Sequence, residues 1–310
     1  MYISTFAGQT KPLFIMKIRN ILILFTLTVL FSACNSSKQM SSSIDNGKSA
    51  FQTGNYENAL QQFEEVIVYY EKKNQQKECP VYGDAAYAAK QLGETDKAIG
   101  YFKKDQRSNF VNAETYYQLA LLYREIDNLS KELDELEAYV NKFPEGKELE
   151  KVESRLFEVY VESENWEQAV TLWGKLSADE QEKINLLEGY FTANKALDID
   201  SVCDVIATNL LGKDENNLTG LDWMAKKYFW QAEYRYQDEL KAYEKNKTNK
   251  QYKKLLRALD VVSSDFKTSL NYFKKIYAQD PKPATAKYIG NIYNRLDDKK
   301  KADYYYRLAK

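Results

Sequence analysis

A small residue and a bulky apolar residue recur four positions apart along the middle of the chain. The clearest pairs are Ala59 with Phe63, Ala98 with Phe102, and Ala169 with Trp173. A fourth copy, over 127–140, carries Glu132 and Leu136 at the same two positions. A spacing of four places both side chains on one face of an α-helix. The pattern therefore predicts a series of amphipathic helices, each presenting a small and a bulky side chain to its neighbours.

The successive small positions lie 39, 34 and 37 residues apart, which indicates an internal repeat. The helix before the copy over 127–140 carries Tyr116, Leu119, Ala120 and Tyr123 on one face, and Pro144 follows its partner helix. In this spacing the chain resembles the tetratricopeptide repeat (TPR) family. The resemblance implies an all-α fold, a TPR-like right-handed superhelix of antiparallel helix pairs with about six to seven repeats. Phe157 is large for its slot in that pattern, so we expect looser packing there.

The repeat pattern divides the chain after residue 46 into two parts. We predict TPR-like repeats over 47–216, of which the last, over 178–216, is degenerate because it shows no Ala–aromatic pair in register. Over 217–310 we predict a long helix pair followed by a final repeat that caps the array, with Ala302 and Tyr306 as its small and bulky residues. Gly (12) and Pro (5) are scarce among 310 residues, as expected of a mostly helical chain.

The N-terminal region contains an uncharged apolar run of 13 residues over 21–33, preceded by Lys17 and Arg19. Because a membrane-spanning helix needs about 20 residues, the run favours a signal peptide over 1–33, with Met16 as the expected start of translation. The sequence LFSAC over 30–34 resembles the lipobox of bacterial lipoproteins, which implies cleavage before Cys34 and lipid attachment to it. An ordinary signal peptide with a chance cysteine is the alternative. We expect a lipidated, flexible tether over 34–46.

The composition argues against catalysis. The sequence has no His, so the commonest general base and metal ligand is missing. Since no nucleotide- or metal-binding motif is recognisable, we expect a chain that is not an enzyme and has no cofactor or metal. A cell-wall hydrolase that uses paired carboxylates is the less favoured alternative. Cys79 and Cys203 lie about three repeats apart, too far for a disulfide, and are expected to be free and buried.

Charge is unevenly distributed along the chain. Residues 226–310 hold 21 Lys and Arg against 10 Asp and Glu, a net charge of +11. Residues 34–225 hold 20 and 35, a net charge of −15. Either these charges only lie on solvent-exposed helix faces and have no binding role, or the basic C-terminal end binds an anionic partner. Nucleic acid is not expected as a partner of a secreted chain.

In the TPR family, fixed positions on the first helix of each repeat line the ligand groove. Tyr and Arg are the residue types that most often dominate the energetics of interfaces. Carried over residue by residue, the resemblance implies a binding groove formed by Tyr87, Lys90, Gln91, Tyr117, Leu121, Arg124, Glu125, Glu158, Glu162, Lys287, Asn291, Asn294 and Arg295.

These patterns together predict a membrane-anchored periplasmic lipoprotein of a Gram-negative envelope that acts as a protein–protein interaction scaffold or adaptor. The outer membrane, facing the periplasm, is the expected location. Other envelope proteins are the expected partners, in addition to the membrane itself through the lipid on Cys34. A lipoprotein that binds peptidoglycan or another glycan is the alternative.

Overall fold

The computed structural model describes residues 1–2 and 38–310 of the chain. Cys34 and nearly all of the predicted signal peptide lie outside the described residues. Within 38–310 the chain forms only helices and turns, and no helix there combines the length and the apolarity that crossing a bilayer requires. The predicted all-α class is confirmed.

Fifteen α-helices and one short 3₁₀ helix, Gln76–Glu78, make up the described fold. The first helix, α1, covers residues 38–52. The others are α2 (Tyr56–Lys72), α3 (Tyr82–Gln91), α4 (Thr95–Asp105), α5 (Ala113–Glu125), α6 (Leu129–Lys142), α7 (Leu149–Glu162), α8 (Trp166–Trp173), α9 (Ala178–Gln181), α10 (Ile184–Ala196), α11 (Asp200–Lys213), α12 (Leu218–Lys245), α13 (Asn249–Gln279), α14 (Pro283–Arg295) and α15 (Lys299–Leu308).

Fourteen of these helices form seven antiparallel pairs in two compact units, and the four-residue α9 lies between two of the pairs. The first unit, Met1–Lys147, contains the pairs α1–α2, α3–α4 and α5–α6. The second unit, Glu148–Lys310, contains α7–α8, α10–α11, α12–α13 and α14–α15. Short connections force consecutive helices to pack against each other, and the number of pairs agrees with the predicted six to seven TPR-like repeats.

Six of the seven pairs share one type of turn. In each, a single residue adopts a left-handed backbone conformation, with φ between 53° and 77°. The N–H of the following residue then donates to the carbonyl five positions earlier, at 2.8–2.9 Å, which is the Schellman closure of a helix C-terminus. The left-handed residues are Gly54, Gly93, Asp127, Glu164, Asp198 and Asp297.

A small-residue slot follows each of these turns at a fixed distance. The residue five positions after the left-handed one is at most 2% exposed in every case, and lies on the second helix of the pair. In five of the six pairs the residue there is Ala or Cys, and its small side chain allows the two helices to approach closely. The slot is occupied by Ala59, Ala98, Glu132, Ala169, Cys203 and Ala302.

The repeat that was predicted to be degenerate keeps the common register. The pair α10–α11 has its left-handed turn at Asp198, and Cys203 fills the small slot with no exposed surface. Ala207, also fully buried, stands four positions later, where the other pairs carry a bulky side chain. The sequence pattern is blurred because both slot residues differ in type, whereas the backbone arrangement of the pair is preserved.

The predicted tether over 34–46 differs from the structure at residues 38–46, which belong to α1. The physical reason is packing. Met40 and Ile44, four positions apart, lie with Phe51 against the hydrophobic core of the first unit, and Ala50 is buried within it. Between them, Ser41 and Ser42 are exposed, while Ser43 is buried and its hydroxyl donates to Glu65 Oε2 at 3.4 Å. An amphipathic helix therefore forms where small polar residues suggested a flexible segment.

The pair α12–α13 is much longer than the others, with helices of 28 and 31 residues. Its core contacts lie between Leu221 and Ala232 on α12 and between Val262 and Ile276 on α13. In the remaining distal part of the pair, Leu255 is the buried apolar residue among those described. The hairpin formed by these two helices therefore continues well past the core of the second unit.

Candidate functional site

A groove in the second unit is bounded by α12, α14 and α15 and has a volume of about 650 Å³. It combines aromatic rings on its walls with amide and charged groups. Its lining consists of Phe229, Trp230, Glu233, Ala284, Lys287, Tyr288, Asn291, Asn294, Arg295 and Tyr306.

Aromatic packing fixes the wall formed by α12. The ring of Tyr288 stacks on Phe273, with centroids 4.7 Å apart, and meets the edge of Phe229 at 5.0 Å. Trp230 meets Phe229 edge-on at 5.2 Å and stacks on Tyr234 at 5.7 Å. Trp230 nevertheless keeps 43% of its surface exposed. A large ring that is held in place but still exposed can cover an apolar group of a ligand.

An ion pair crosses the groove between α14 and α12. The Arg295 Nε donates to Glu233 Oε2 at 2.9 Å, and a second hydrogen bond joins Arg295 Nη2 to Glu233 Oε1. The guanidinium also lies over the ring of Tyr236, 4.6 Å from its centroid. Glu233 in addition accepts from Gln237 Nε2 at 2.9 Å. A two-bond, stacked arrangement holds Arg295 in one orientation, so this part of the groove is pre-organised.

The wall formed by α15 depends on a glycine. A Cβ atom at Gly290 would lie only 2.7 Å from Cδ1 of Tyr306, so the absence of a side chain allows the tyrosine ring to lie against α14. There the Tyr306 hydroxyl donates to Asn291 Oδ1 at 3.1 Å. Tyr306 thus fixes the amide of Asn291 toward the groove region, while Lys287 and Asn294 stay exposed to solvent.

Four of the predicted groove residues come together at this site. Lys287, Asn291, Asn294 and Arg295 were predicted from their positions on the first helix of the last repeat, and all four line the groove. Their spacing places them on one face of α14, which faces α12.

The predicted residues on α3 lie in contacts with the next first helix. The Tyr87 hydroxyl donates to Glu114 Oε1 at 2.9 Å, and burial is the main cause that raises its pKa. Lys90 Nζ donates to Gln118 Oε1 at 2.5 Å. Tyr87 and Lys90 therefore join α3 to α5, and Gln91 is exposed at the end of α3.

The predicted residues on α5 are partly involved in packing. Tyr117 meets the ring of Tyr139 at 6.5 Å, and Leu121 is half-buried. Arg124 and Glu125 are exposed in the last turn of the helix.

The predicted residues on α7 are held in polar contacts. Arg155 donates to Glu158 at 3.1 Å and to Glu162 at 2.7 Å, and Asn185 of α10 donates to Glu158 at 3.0 Å. Glu158 therefore links α7 to the next first helix, as Tyr87 and Lys90 do in the first unit.

The groove residues that the sequence did not reveal come mainly from α12. Phe229, Trp230 and Glu233 lie on a long helix for which no repeat register was visible, so family positions could not be carried over to it. Tyr306 occupies the bulky slot of the last repeat, and Tyr288 was not among the positions carried over from the family. The one available signal was the high density of aromatic residues along 223–243.

The remaining candidate chemistry concerns metal-binding and thiol groups among residues 38–310. Among them, no group of three or more His, Cys, Asp and Glu side chains could hold a metal ion. Cys79 and Cys203 are both free and buried, as predicted. Burial raises the pKa of the Cys79 thiol to about 11, so that this thiol stays protonated and unreactive at neutral pH.

Several solved structures are similar to the chain at low sequence identity. A tetratricopeptide repeat protein from Parabacteroides merdae is 12% identical, covers 88% of this chain and 92% of its own, and has a TM-score of 0.43. The C-terminal part of a TPR repeat-containing protein from Cytophaga hutchinsonii is 14% identical, covers 86% and 93%, and has a TM-score of 0.47. YrrB, described as a TPR protein with an unusual peptide-binding site, is 12% identical, covers 64% and 97%, and has a TM-score of 0.46.

No protein-family model matches the chain, and no curated protein matches it significantly. With TM-scores below 0.5, the similar structures carry no information on a ligand or partner of this chain. The chain is all-helical, and its helix pairs have a TPR-like arrangement.

Proposed function

We propose that this protein is an interaction scaffold that binds an extended segment of a partner protein in the groove between α12, α14 and α15. The proposal rests on one observation, namely that two independently identified features lie in the same groove. The positions predicted on α14 to contact a ligand line the same groove as an exposed, pre-positioned tryptophan of α12.

The groove has the chemical groups that a peptide requires. Trp230 and Tyr288 offer ring surface for an apolar side chain, and buried aromatic contacts dominate most interfaces. The amides of Asn291 and Asn294 can each donate and accept, which suits the alternating N–H and C=O groups of an extended backbone. Lys287 adds a mobile positive charge at the rim.

A selection of displayed random peptides on the purified full-length protein tests the proposal. Enriched peptides should bind Trp230→Ala at least about tenfold more weakly than wild type, since hot-spot truncations cost about 2 kcal/mol or more. Asn294→Ala should weaken binding severalfold, as expected for the loss of one hydrogen bond of about 1 kcal/mol. Asn209→Ala, an exposed asparagine on α11, is the matched control. Failure to enrich any peptide, or equal affinity of all variants, would overturn the groove assignment.

The same proposal places the scaffold at a membrane through a lipid on Cys34. The short apolar run over 21–33 and the lipobox-like LFSAC that ends it support this part. One acyl chain gives only marginal membrane binding, whereas two or more hold a protein stably. The proposed location is the outer membrane of a Gram-negative envelope, facing the periplasm, with other envelope proteins as partners.

Fractionation of cells tests the anchor. Cys34→Ser should move the protein from the membrane fraction to the soluble fraction, while Cys203→Ser, which changes a buried thiol, should leave it in the membrane fraction. A Cys34→Ser protein that still sediments with membranes in high salt would refute lipid anchoring.

A glycan ligand is the second candidate, and one observation favours it. Trp230 and Tyr234 form a stacked and exposed aromatic pair, with 43% and 64% of their surfaces accessible, and sugar rings commonly pack on such surfaces. Binding of peptidoglycan fragments that resists high salt and is lost in Trp230→Ala would favour this candidate over a protein segment.

A further inference from the structure

The surface that borders the groove continues along α12 toward the tip of the long hairpin. Trp230, Tyr234, Gln237, Lys241 and Lys245 are spaced by four, three, four and four residues, so they lie on one face of the helix. All five are exposed. We refer to these five side chains as the α12 track. It begins at the groove with two stacked aromatic rings and ends with two lysines.

The tip of the hairpin is strongly basic. Residues 241–257 contain seven Lys and Arg and one acidic residue, Glu244, a net charge of +6. Of the acidic side chains just before this segment, Glu239 is paired with Lys254 at 2.8 Å, and Asp238 is exposed on α12. The acidic groups of α12 therefore reduce the positive potential around Lys241 and Lys245 but leave it positive.

We propose that the groove and the α12 track form one continuous docking surface for a protein segment that carries an apolar anchor and, some residues away, a cluster of acidic side chains. This inference rests on the proposed peptide-binding function and adds the chemistry and the spacing of the ligand. The anchor occupies the groove against Trp230, and the acidic cluster lies over Lys241 and Lys245.

The helix geometry sets the spacing. Lys241 and Lys245 follow Trp230 by 11 and 15 residues, which corresponds to about 16 and 22 Å along the helix at 1.5 Å per residue. An extended peptide advances by about 3.3 Å per residue. The acidic cluster should therefore lie about five to seven residues from the anchor.

A protein segment fits this surface better than a membrane does. The groove has a volume of about 650 Å³ and is large enough to take up a side chain of a peptide, whereas a bilayer presents a flat surface that would not enter it. The positive charge and the aromatic groove lie at opposite ends of one face of α12, which matches a linear ligand with two distinct ends.

Synthetic peptides of one design test the spacing. Each carries a Leu-Phe anchor, a Gly-Ser spacer of one, five or ten residues, and three Asp, and each is made in both chain orders. A control peptide has the anchor and the spacer but no Asp. Titration calorimetry with the full-length protein at low salt should show the tightest binding for the five-residue spacer, by about five- to tenfold. Raising the salt concentration should remove this advantage, because exposed charges are screened.

Charge variants of the protein complete the experiment. Lys241→Gln combined with Lys245→Gln should abolish the preference for the five-residue spacer and leave the affinity for the peptide without Asp unchanged. Lys175→Gln combined with Lys195→Gln removes the same charge from exposed positions outside the track and should preserve the preference.

The possible failures are distinguishable. If no peptide binds with or without Asp, the proposed groove function fails together with this inference. If peptides bind but the affinity is independent of spacer length or of Lys241 and Lys245, the groove function stands and the inference is overturned. It is also overturned if the double lysine variant loses binding to phosphatidylglycerol vesicles while its peptide affinities do not change, because the basic tip would then belong to a lipid surface.

Discussion

Gly220 is the position where a single methyl group should have the clearest structural effect. It is the third residue of α12, is buried, and donates its N–H to the capping side chain of Asn217 at 2.9 Å. A Cβ atom there would lie 3.0 Å from the carbonyl oxygen of Ala207 and 2.9 Å from Cγ of Leu211, both on α11. The absence of a side chain therefore allows α11 and α12 to cross closely.

The expected cost follows from two opposing terms. Overpacking a well-fitted contact costs about 1–3 kcal/mol, and the backbone oxygen of Ala207 cannot move without shifting α11. Alanine in place of glycine within a helix contributes about 0.5–1 kcal/mol in the other direction. Gly220→Ala should thus lower the free energy of unfolding by about 0–2.5 kcal/mol, as the difference of these ranges.

Gly212→Ala is the matched control for this prediction. Gly212 lies in α11 of the same unit, and a Cβ atom there would meet no atom within 4 Å. Only the helix-propensity term applies, and it is reduced because Gly212 is next to the last residue of α11. We expect a change between zero and a gain of about 1 kcal/mol.

Urea unfolding followed by tryptophan fluorescence measures the change in the free energy of unfolding of the second unit, which contains Gly220. The sequence contains four Trp, all within the second unit, at positions 166, 173, 223 and 230. Trp223 Nε1 donates to Asp204 at 2.8 Å across the α11–α12 crossing, so its emission should report on that contact. Equal effects of Gly220→Ala and Gly212→Ala would refute the close-approach argument.

Three further changes test other contacts. Gly290→Ala should displace the Tyr306 ring and weaken peptide binding more than it lowers stability, as a comparison of calorimetric titration with thermal unfolding would show. Burial raises the pKa of Glu135, so the folded state binds the carboxyl proton more tightly than the unfolded state and loses stability as pH rises through the carboxyl range. The Glu135→Gln variant should lack this pH dependence and should be more stable than wild type at pH 7. Unfolding followed by circular dichroism between pH 4 and 7 measures both effects. Ser269 donates to the carbonyl of Ala225 at 2.7 Å in a fully buried contact, so Ser269→Ala should cost about 1 kcal/mol in urea unfolding, and an unchanged midpoint would contradict that assignment.

The sequence was sufficient to predict most of the helix pairs, because small and bulky residues four apart report directly on helix packing. It predicted the pair α10–α11 only as a degenerate repeat, because Cys203 takes the small slot and Ala207 the bulky one. The register there is carried by the left-handed turn at Asp198, and a single aspartate gives no distinct sequence signal. The register of the pair becomes visible only by counting five residues from the turn.

Two other differences have a similar origin in contacts between distant residues. Phe157 was expected to pack loosely, yet its side chain is fully buried. A Cβ atom at Gly189 of α10 would lie only 3.0 Å from Cε1 of Phe157, so the absence of a side chain at Gly189 leaves room for the ring. Residues 38–46 were predicted as a tether from their small polar composition, whereas Met40 and Ile44 pack against the core of the first unit.

The candidate site was partly predictable for a related reason. Four positions on α14 were found because that helix follows the repeat pattern closely. Trp230 and Glu233 were missed because α12 is too long to be aligned with that pattern. The side of the groove formed by α14 is therefore predictable from the repeat pattern, whereas the side formed by α12 is not.

The buried thiols have a consequence for measuring how the two units open. Cys79 lies in the core of the first unit and Cys203 in a small slot of the second, each without exposed surface. A thiol reagent can modify each cysteine only when its surroundings open, so the labelling rate reports the opening free energy of one unit. In a Cys34→Ser background, mass spectrometry of the two labelled peptides would give both values from a single sample. The chain thus contains one native reporter of local opening in each half, without any engineered label.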